Sequence, residues 1–304
     1  MIGCAMDPVS VPPWTMGSAL EVHRLGAGAP PLLLVQSGLT ADELLPLARE
    51  PVLDGCERLV PHRRGYAGSG PAAASPSIAG DVADCLALLD ARGHERARVL
   101  GYSYSGAVAL QLAADHPERV AGLVLVEPPP LLAPSVRAEF VATVEGLLAV
   151  RREAGVEAAL DAFWAMLGTP AWWAALDAQL PGARDQMRQD AATFLDADLP
   201  ALLAWSFGDA DAARVRCPVL HVGADGSGPW WAAVRRQVRA WFPGAGDVVV
   251  AGADHGLAVT HAAEIAARIA PALSAAGRRG TPPRSSRPPA WPRAARRPSR
   301  AGTA

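Results

Sequence analysis

Short apolar runs punctuate the chain at 31–35 (PLLLV), 98–100 (RVL), 120–126 (VAGLVLV), 215–222 (VRCPVLHV) and 247–252 (DVVVAG). Runs of this length bounded by turn residues read as strands buried on both faces. Residues 19–25 (ALEVHRL) alternate instead, as a strand with one wet face does. Between the runs the period lengthens. Ile78, Val82, Cys85, Leu86 and Leu89 fall at helical spacing and end at Gly93. Residues 107–114 (AVALQLAA) are apolar on nearly every face and stop at His116-Pro117, where proline cannot continue the ladder. Residues 42–49 read as a further helix. Trp231, Val234, Val238 and Trp241 line one helical face, with Arg235, Arg236 and Arg239 off it, and Ile265, Ile269 and Leu273 mark a closing helix. Strands and helices in alternation predict an α/β architecture, a mostly parallel sheet with helices on both faces.

One long interruption stands out. After Glu127, the run Pro128-Pro129-Pro130 ends the strand pattern, and residues 128–212 are rich in Ala and Leu with no strand-like stretch. That is too long for an ordinary crossover and predicts a helical insertion. Phe163, Trp164, Trp172, Trp173 and Trp205 lie in it. Packing within the insertion accounts for most of them; an apolar roof over a site is the functional alternative.

The chemistry centres on Gly101-Tyr102-Ser103-Tyr104-Ser105-Gly106, between a strand and a buried helix. Small residues two before and two after a serine match a nucleophile elbow, where larger side chains would collide with strand and helix. Here Ser105 stands where a second glycine is usual. An ordinary turn can carry the same letters. The next strand follows at 120–126, so the serine sits at the carboxyl end of a parallel strand, where open α/β sheets bind ligands.

From about residue 19 to 273 the chain resembles the α/β-hydrolase superfamily, on the elbow, on His62-Arg63-Arg64-Gly65-Tyr66-Ala67-Gly68-Ser69-Gly70, and on Gly-Ala-Asp-His-Gly at 252–256. The resemblance implies an α/β-hydrolase fold whose core takes residues 18–127 and 213–276, with 128–212 as a helical cap. It implies Ser103 as nucleophile and His255 as base, since His255 follows the last strand as the family's histidine does; His261 is the outsider. For the acid, two carboxylates remain open. Glu127 sits at the tip of a strand where Glu-Pro-Pro fixes its direction. Asp225 lies in the loop after the next strand, one residue short of the usual G-x-x-D spacing. The backbone N–H groups of Gly38 and Tyr104 are the implied oxyanion donors, although Gln36-Ser37 replaces the usual His-Gly. His62 is expected to be a hydrogen-bonded loop histidine. Serine rather than aspartate at position 103 points to an acyl-enzyme and to an esterase or lactonase acting on a small apolar substrate. The same residues would serve C–C or amide hydrolysis or acyl transfer, and a non-catalytic ligand-binding member of the fold is the reading from another class.

Composition bounds this picture. Hydrophobic residues make up 50% of 304, enough for one large α/β domain with an insertion, and the formal net charge is −2. Residues 277–304 hold eight arginines and no acid; without those eight, 20 basic residues face all 30 acidic ones. This Pro/Arg/Ser-rich segment is expected to be a disordered tail, and residues 1–17 a flexible lead. The acidic body disfavours polyanionic substrates, and the basic tail has no nucleic-acid motif, so neither nucleic acid nor membrane is an expected partner. Cys4, Cys56, Cys85 and Cys217 show no C-x-x-C pair and read as buried thiols of a reducing compartment, with the cytoplasm as the expected location. No Gly-rich phosphate loop is present, no His/Cys/Asp group has ligand spacing in sequence, and no metal or cofactor is expected.

Overall fold

The computed structural model describes residues 20–275; the expectations for 1–17 and for 277–304 fall outside them. In chain order, β1 (Val22–Leu25) and β2 (Leu32–Val35) lead to a short helix α1 (Leu45–Ala48), then β3 (Arg58–Pro61), α2 (Ile78–Ala91), β4 (Ala97–Tyr102), α3 (Tyr104–Asp115) and β5 (Val120–Val126). The expected helix over 42–49 shrinks to α1, because residues 41–44 form turns and Pro46 sits in its first turn, where its missing N–H costs nothing.

Helices then occupy the chain without a strand: α4 (Pro134–Leu167), broken at Gly155 with φ of 92°, α5 (Pro170–Gln179) and α6 (Ala183–Thr193). A π-helical turn at Phe194–Asp198 joins α6 to α7 (Leu199–Ala204), and α8 (Asp209–Ala212) follows. The core resumes with β6 (Val219–Ala224), α9 (Pro229–Trp241), β7 (Gly246–Val250), α10 (Leu257–Thr260) and α11 (Ala262–Ala275). β6 starts later than the apolar run at 215–222 predicts, because Pro218 cannot donate to the ladder.

The seven strands lie in the order β1-β3-β2-β4-β5-β6-β7. β1 pairs antiparallel with β3, and every other pairing is parallel. Alternation along the strands divides the core into two layers. Leu32 and Leu34 of β2, Leu100 of β4 and Val124 of β5 face one way, toward α1, α10 and α11. Leu33, Val35, Val99 and Leu123 face the other, toward α2, α3 and α9. The middle strands β2 and β4 are buried along their whole length, as a parallel sheet covered on both sides requires. This stiff centre ends at Tyr102, and residue 103 begins the site.

Candidate active site

β4 turns into α3 in a single residue. Ser103 holds φ 51° and ψ −121°, a conformation that L side chains rarely adopt and that persists only where its surroundings enforce it. A Cβ on Gly101 would lie 2.4 Å from the Ser105 carbonyl oxygen and 2.7 Å from the Ala109 Cβ, so only glycine fits there. The serine at 105 has its own logic. Its Oγ accepts the Tyr102 N–H at 2.9 Å and donates toward the Val35 carbonyl at 2.7 Å. The hydroxyl therefore ties the bend to β2 from a fully buried position.

His255 arrives from the loop between β7 and α10. Its Nε2 lies 3.1 Å from the Ser103 Oγ, and its Nδ1 lies 2.8 Å from Glu127 Oε2. Trp231 stacks on the imidazole at 4.0 Å between centroids, and the Tyr102 hydroxyl donates to the His255 carbonyl. Ring and backbone are thus both held. Glu127 directly follows β5 with φ of 39° and is buried to 1% exposure. Its Oε1 accepts the Ala224 N–H at 2.9 Å, and its Oε2 accepts the Ser227 hydroxyl at 2.8 Å as well as facing His255. A carboxylate facing Nδ1 favours the tautomer with the proton on that nitrogen, leaving Nε2 free toward Ser103.

Asp225, the other carboxylate proposed from the sequence, is not part of this chain of contacts. It is exposed, and its Oδ1 accepts the Gly252 N–H at 2.8 Å, closing the turn after β7. The last residue of β6 instead delivers the Ala224 N–H to Glu127, and the loop after it delivers Ser227. Asp254 accepts from Gly256 N–H, and His261 lies against Thr260 at 2.8 Å; neither joins Ser103. Ser227, Trp231 and the Tyr102 hydroxyl were not anticipated. The serine two residues past Asp225 was the available signal.

Gly38 lies in the loop after β2, where a Cβ would sit 2.8 Å from Phe194 and 3.7 Å from the Tyr104 Cβ, so this loop closely approaches the start of α3. Tyr104 is the first residue of α3, and its N–H has no carbonyl within its own helix to reach. The loop is braced from below. The Arg63 guanidinium donates to the Gln36 carbonyl at 3.2 Å and the Ser37 carbonyl at 2.9 Å, and the Arg63 N–H donates to Gln36 Oε1 at 2.6 Å. Arg63 also forms a two-pronged pair with Asp198 of the π-helical turn, which takes the Tyr66 hydroxyl at 2.5 Å too. The Leu39 N–H donates to that same hydroxyl at 3.2 Å. Burial opposes the Arg63 charge, but Asp198 and Asp81 hold its pKa well above the ordinary value.

Ser103, His255, Gly38 and Tyr104 line a cavity of about 980 Å³, the open solvent at its mouth included. Phe140, Leu147, Phe163, Trp164 and Trp172 of the helical insertion supply much of its wall, an apolar lining suited to an apolar ligand. One carboxyl interrupts it. Glu43 is buried and accepts the Ser37 hydroxyl at 2.5 Å; burial pushes its pKa up to about 7, against that hydrogen bond.

A sequence model described as the alpha/beta hydrolase fold matches residues 30–262. RutD of Klebsiella pneumoniae, which carries the name of a carbamate hydrolase, is 30% identical over 238 residues, 76% of this chain and 87% of that protein. Lipase LipV of Mycobacterium tuberculosis is 36% identical over 109 residues, 36% of this chain and 41% of the lipase, so that match spans less than half of the relative. Among solved structures, a hydrolase from Pseudomonas aeruginosa superposes with a TM-score of 0.68 at 25% identity, covering 86% of this chain and 96% of that one.

Proposed function

Because the chain belongs to the alpha/beta hydrolase fold family, we propose that it is a serine hydrolase forming an acyl-enzyme at Ser103, acting on a small, largely apolar ester or lactone. The observation that carries this reading is the contact chain from the Ser103 Oγ through His255 to Glu127, at 3.1 and 2.8 Å, with the serine on a strained bend at the mouth of an apolar cavity. In this reading, His255 Nε2 takes the Ser103 proton as Oγ attacks the acyl carbonyl. Glu127 orients the imidazole and stabilises the imidazolium. The oxyanion accepts from the Gly38 and Tyr104 N–H groups. His255 then protonates the leaving alkoxide, and water, deprotonated by the same nitrogen, releases the acid and restores Ser103. The insertion between β5 and β6 acts as a cap that excludes water and sorts substrates by shape.

A second reading keeps the same residues and changes the bond cleaved: the likeness to RutD favours a carbamate or amide substrate. A fluorophosphonate probe tests the shared chemistry. Folded protein should gain one adduct on Ser103 by mass spectrometry, and Ser103→Ala should gain none. No adduct on folded protein would overturn the acyl-enzyme reading in favour of a ligand-binding protein. A panel of matched ester, lactone, carbamate and amide substrates then separates the two bond types, the ester or lactone being turned over fastest.

A further inference from the structure

Away from Ser103, three segments distant in sequence bring imidazole and carboxylate groups to one point beside the β1 edge of the sheet. His23 projects from β1, Asp42 from the turn before α1, and His62 from the residue that follows β3. One donor atom from each lies within 4.8 Å of the others. His62 Nε2 is 2.7 Å from Asp42 Oδ1, and His23 Nε2 is 3.2 Å from the same oxygen. The two rings meet edge to face with centroids 4.9 Å apart.

Two details point past a plain hydrogen-bond network. His23 Nε2 is cut off from solvent and close to Asp42, yet its approach lacks hydrogen-bond alignment, so among the described residues this buried nitrogen has no hydrogen-bond partner. It and His62 Nε2 converge on one carboxylate oxygen. In addition, His62 Nδ1 is held by Glu21 Oε2 at 2.8 Å, and that oxygen is itself fixed by the Gly68 N–H at 2.7 Å. An outer carboxylate on one ring nitrogen is what fixes the tautomer of metal-ligating histidines and presents the other nitrogen to the ion. The His62 side chain is 3% exposed and that of Asp42 is 40%, so the point is walled by protein on one side and reachable on the other.

We propose that His23 Nε2, His62 Nε2 and Asp42 Oδ1 form a binding site for a divalent transition metal of the zinc or cobalt kind, with an open fourth position toward solvent. Two imidazole nitrogens and one carboxylate oxygen suit such ions and disfavour calcium and magnesium, which prefer oxygen donors. Bonds of about 2.0–2.2 Å to a central ion need only small movements of ligands already this close. On binding, the ion replaces the proton shared between His62 and Asp42, which leaves to water. The bound ion would clamp β1 and β3 to the turn before α1, the segment that follows the Gly38 loop.

The test uses the full chain, stripped with a chelator and titrated with Zn²⁺ in competition with a chromogenic zinc indicator. One equivalent should bind in the unsubstituted protein and in His255→Gln, which removes the histidine beside Ser103. His23→Gln and Asp42→Asn should each weaken that equivalent at least tenfold. Co²⁺ should give tetrahedral visible absorption bands in the unsubstituted protein and lose them in His23→Gln. Because His62→Gln also cuts the contact to Glu21 and can harm folding, His23→Gln on the edge strand is the deciding variant. Its thermal midpoint without metal should match that of the unsubstituted protein, and only the unsubstituted protein should gain stability on adding Zn²⁺. Absence of a zinc equivalent, or one retained by both His23→Gln and Asp42→Asn, would overturn the site.

Discussion

Ser105 occupies a position where a glycine would satisfy the space, and its hydroxyl replaces that simplicity with two contacts, to the Tyr102 N–H and the Val35 carbonyl. Removing the hydroxyl leaves both backbone groups buried beside a small void. Ser105→Ala should therefore destabilise the fold by roughly 1–3 kcal/mol, read from the urea midpoint, the usual cost of a buried polar group left unpaired. An unchanged midpoint would mean that water or a shifted backbone takes over. The two carboxylates offered by the sequence can be separated in the same way. Glu127→Gln alters the group facing His255 Nδ1 and should lower kcat roughly 10²- to 10⁴-fold, the range seen when a base loses its orienting carboxylate. Asp225→Asn leaves the Gly252 contact possible and should stay within about twofold, as a solvent-facing residue outside the contacts that join Ser103, His255 and Glu127. A reversed pair of results would reassign the acid. The sequence left these residues open because it shows spacing and not direction. A one-residue difference in the loop after β6 decides whether an aspartate or a serine points inward, and nothing in Gly-Ala-Asp-Gly-Ser states which.

At the level of elements, the strand–serine–helix–strand unit was readable because each piece has a pure signature: a run of branched aliphatics, a small-residue bend, a helix apolar all round. β3 was not. Its four residues, Arg58–Pro61, include an arginine and a proline and carry no alternation, and only pairing to β1 and β2 makes them a strand. The tie between insertion and core was equally hidden, because Arg63 and Asp198 are 135 residues apart. That pair joins the π-helical turn to the loop carrying Gly38, and its members are 6% and 5% exposed. Asp198→Ala leaves the Arg63 charge and the Tyr66 hydroxyl buried without their main partner, which should cost about 3–5 kcal/mol. Asp196→Ala, two residues earlier, removes only an exposed pair with Arg151 and should cost less than about 1 kcal/mol. Parallel urea titrations check both. Equal losses would show that Asp198 contributes no more than a surface charge.

For the whole molecule, the general plan was visible from periodicity, while the clusters that only folding assembles were not; the β1-edge histidines and the carboxyl of Glu43 are examples. Those buried ionisable groups set how stability responds to pH. Asp42 and Asp247 are held well below the usual carboxylate range; burial works against this, and for Asp42 the hydrogen bond and charge of His62 with the nearby imidazole of His23, or for Asp247 those of His221 and Arg235, outweigh it. Their contribution is present above a pH of about 4 and is lost as pH falls further. Glu43 acts in the opposite sense. Its pKa rises from an ordinary 4.5 to about 7 because the cavity wall desolvates it. Between those values the folded chain keeps a proton that the unfolded chain has released, so unfolding becomes easier as pH climbs. Asp81, raised by burial to about 6 despite Arg63, adds to the same slope. Spread over its window, the Glu43 shift alone corresponds to about 3 kcal/mol at most. Stability should accordingly peak on the acid side of neutrality and decline toward pH 8. Glu43→Gln keeps an acceptor for the Ser37 hydroxyl without a titrating proton, so its urea midpoint should fall much less between pH 5 and pH 8 than that of the unsubstituted protein. Parallel declines in the two proteins would mean that Glu43 ionises in the folded chain as readily as in water, with the cavity wet enough to carry its charge.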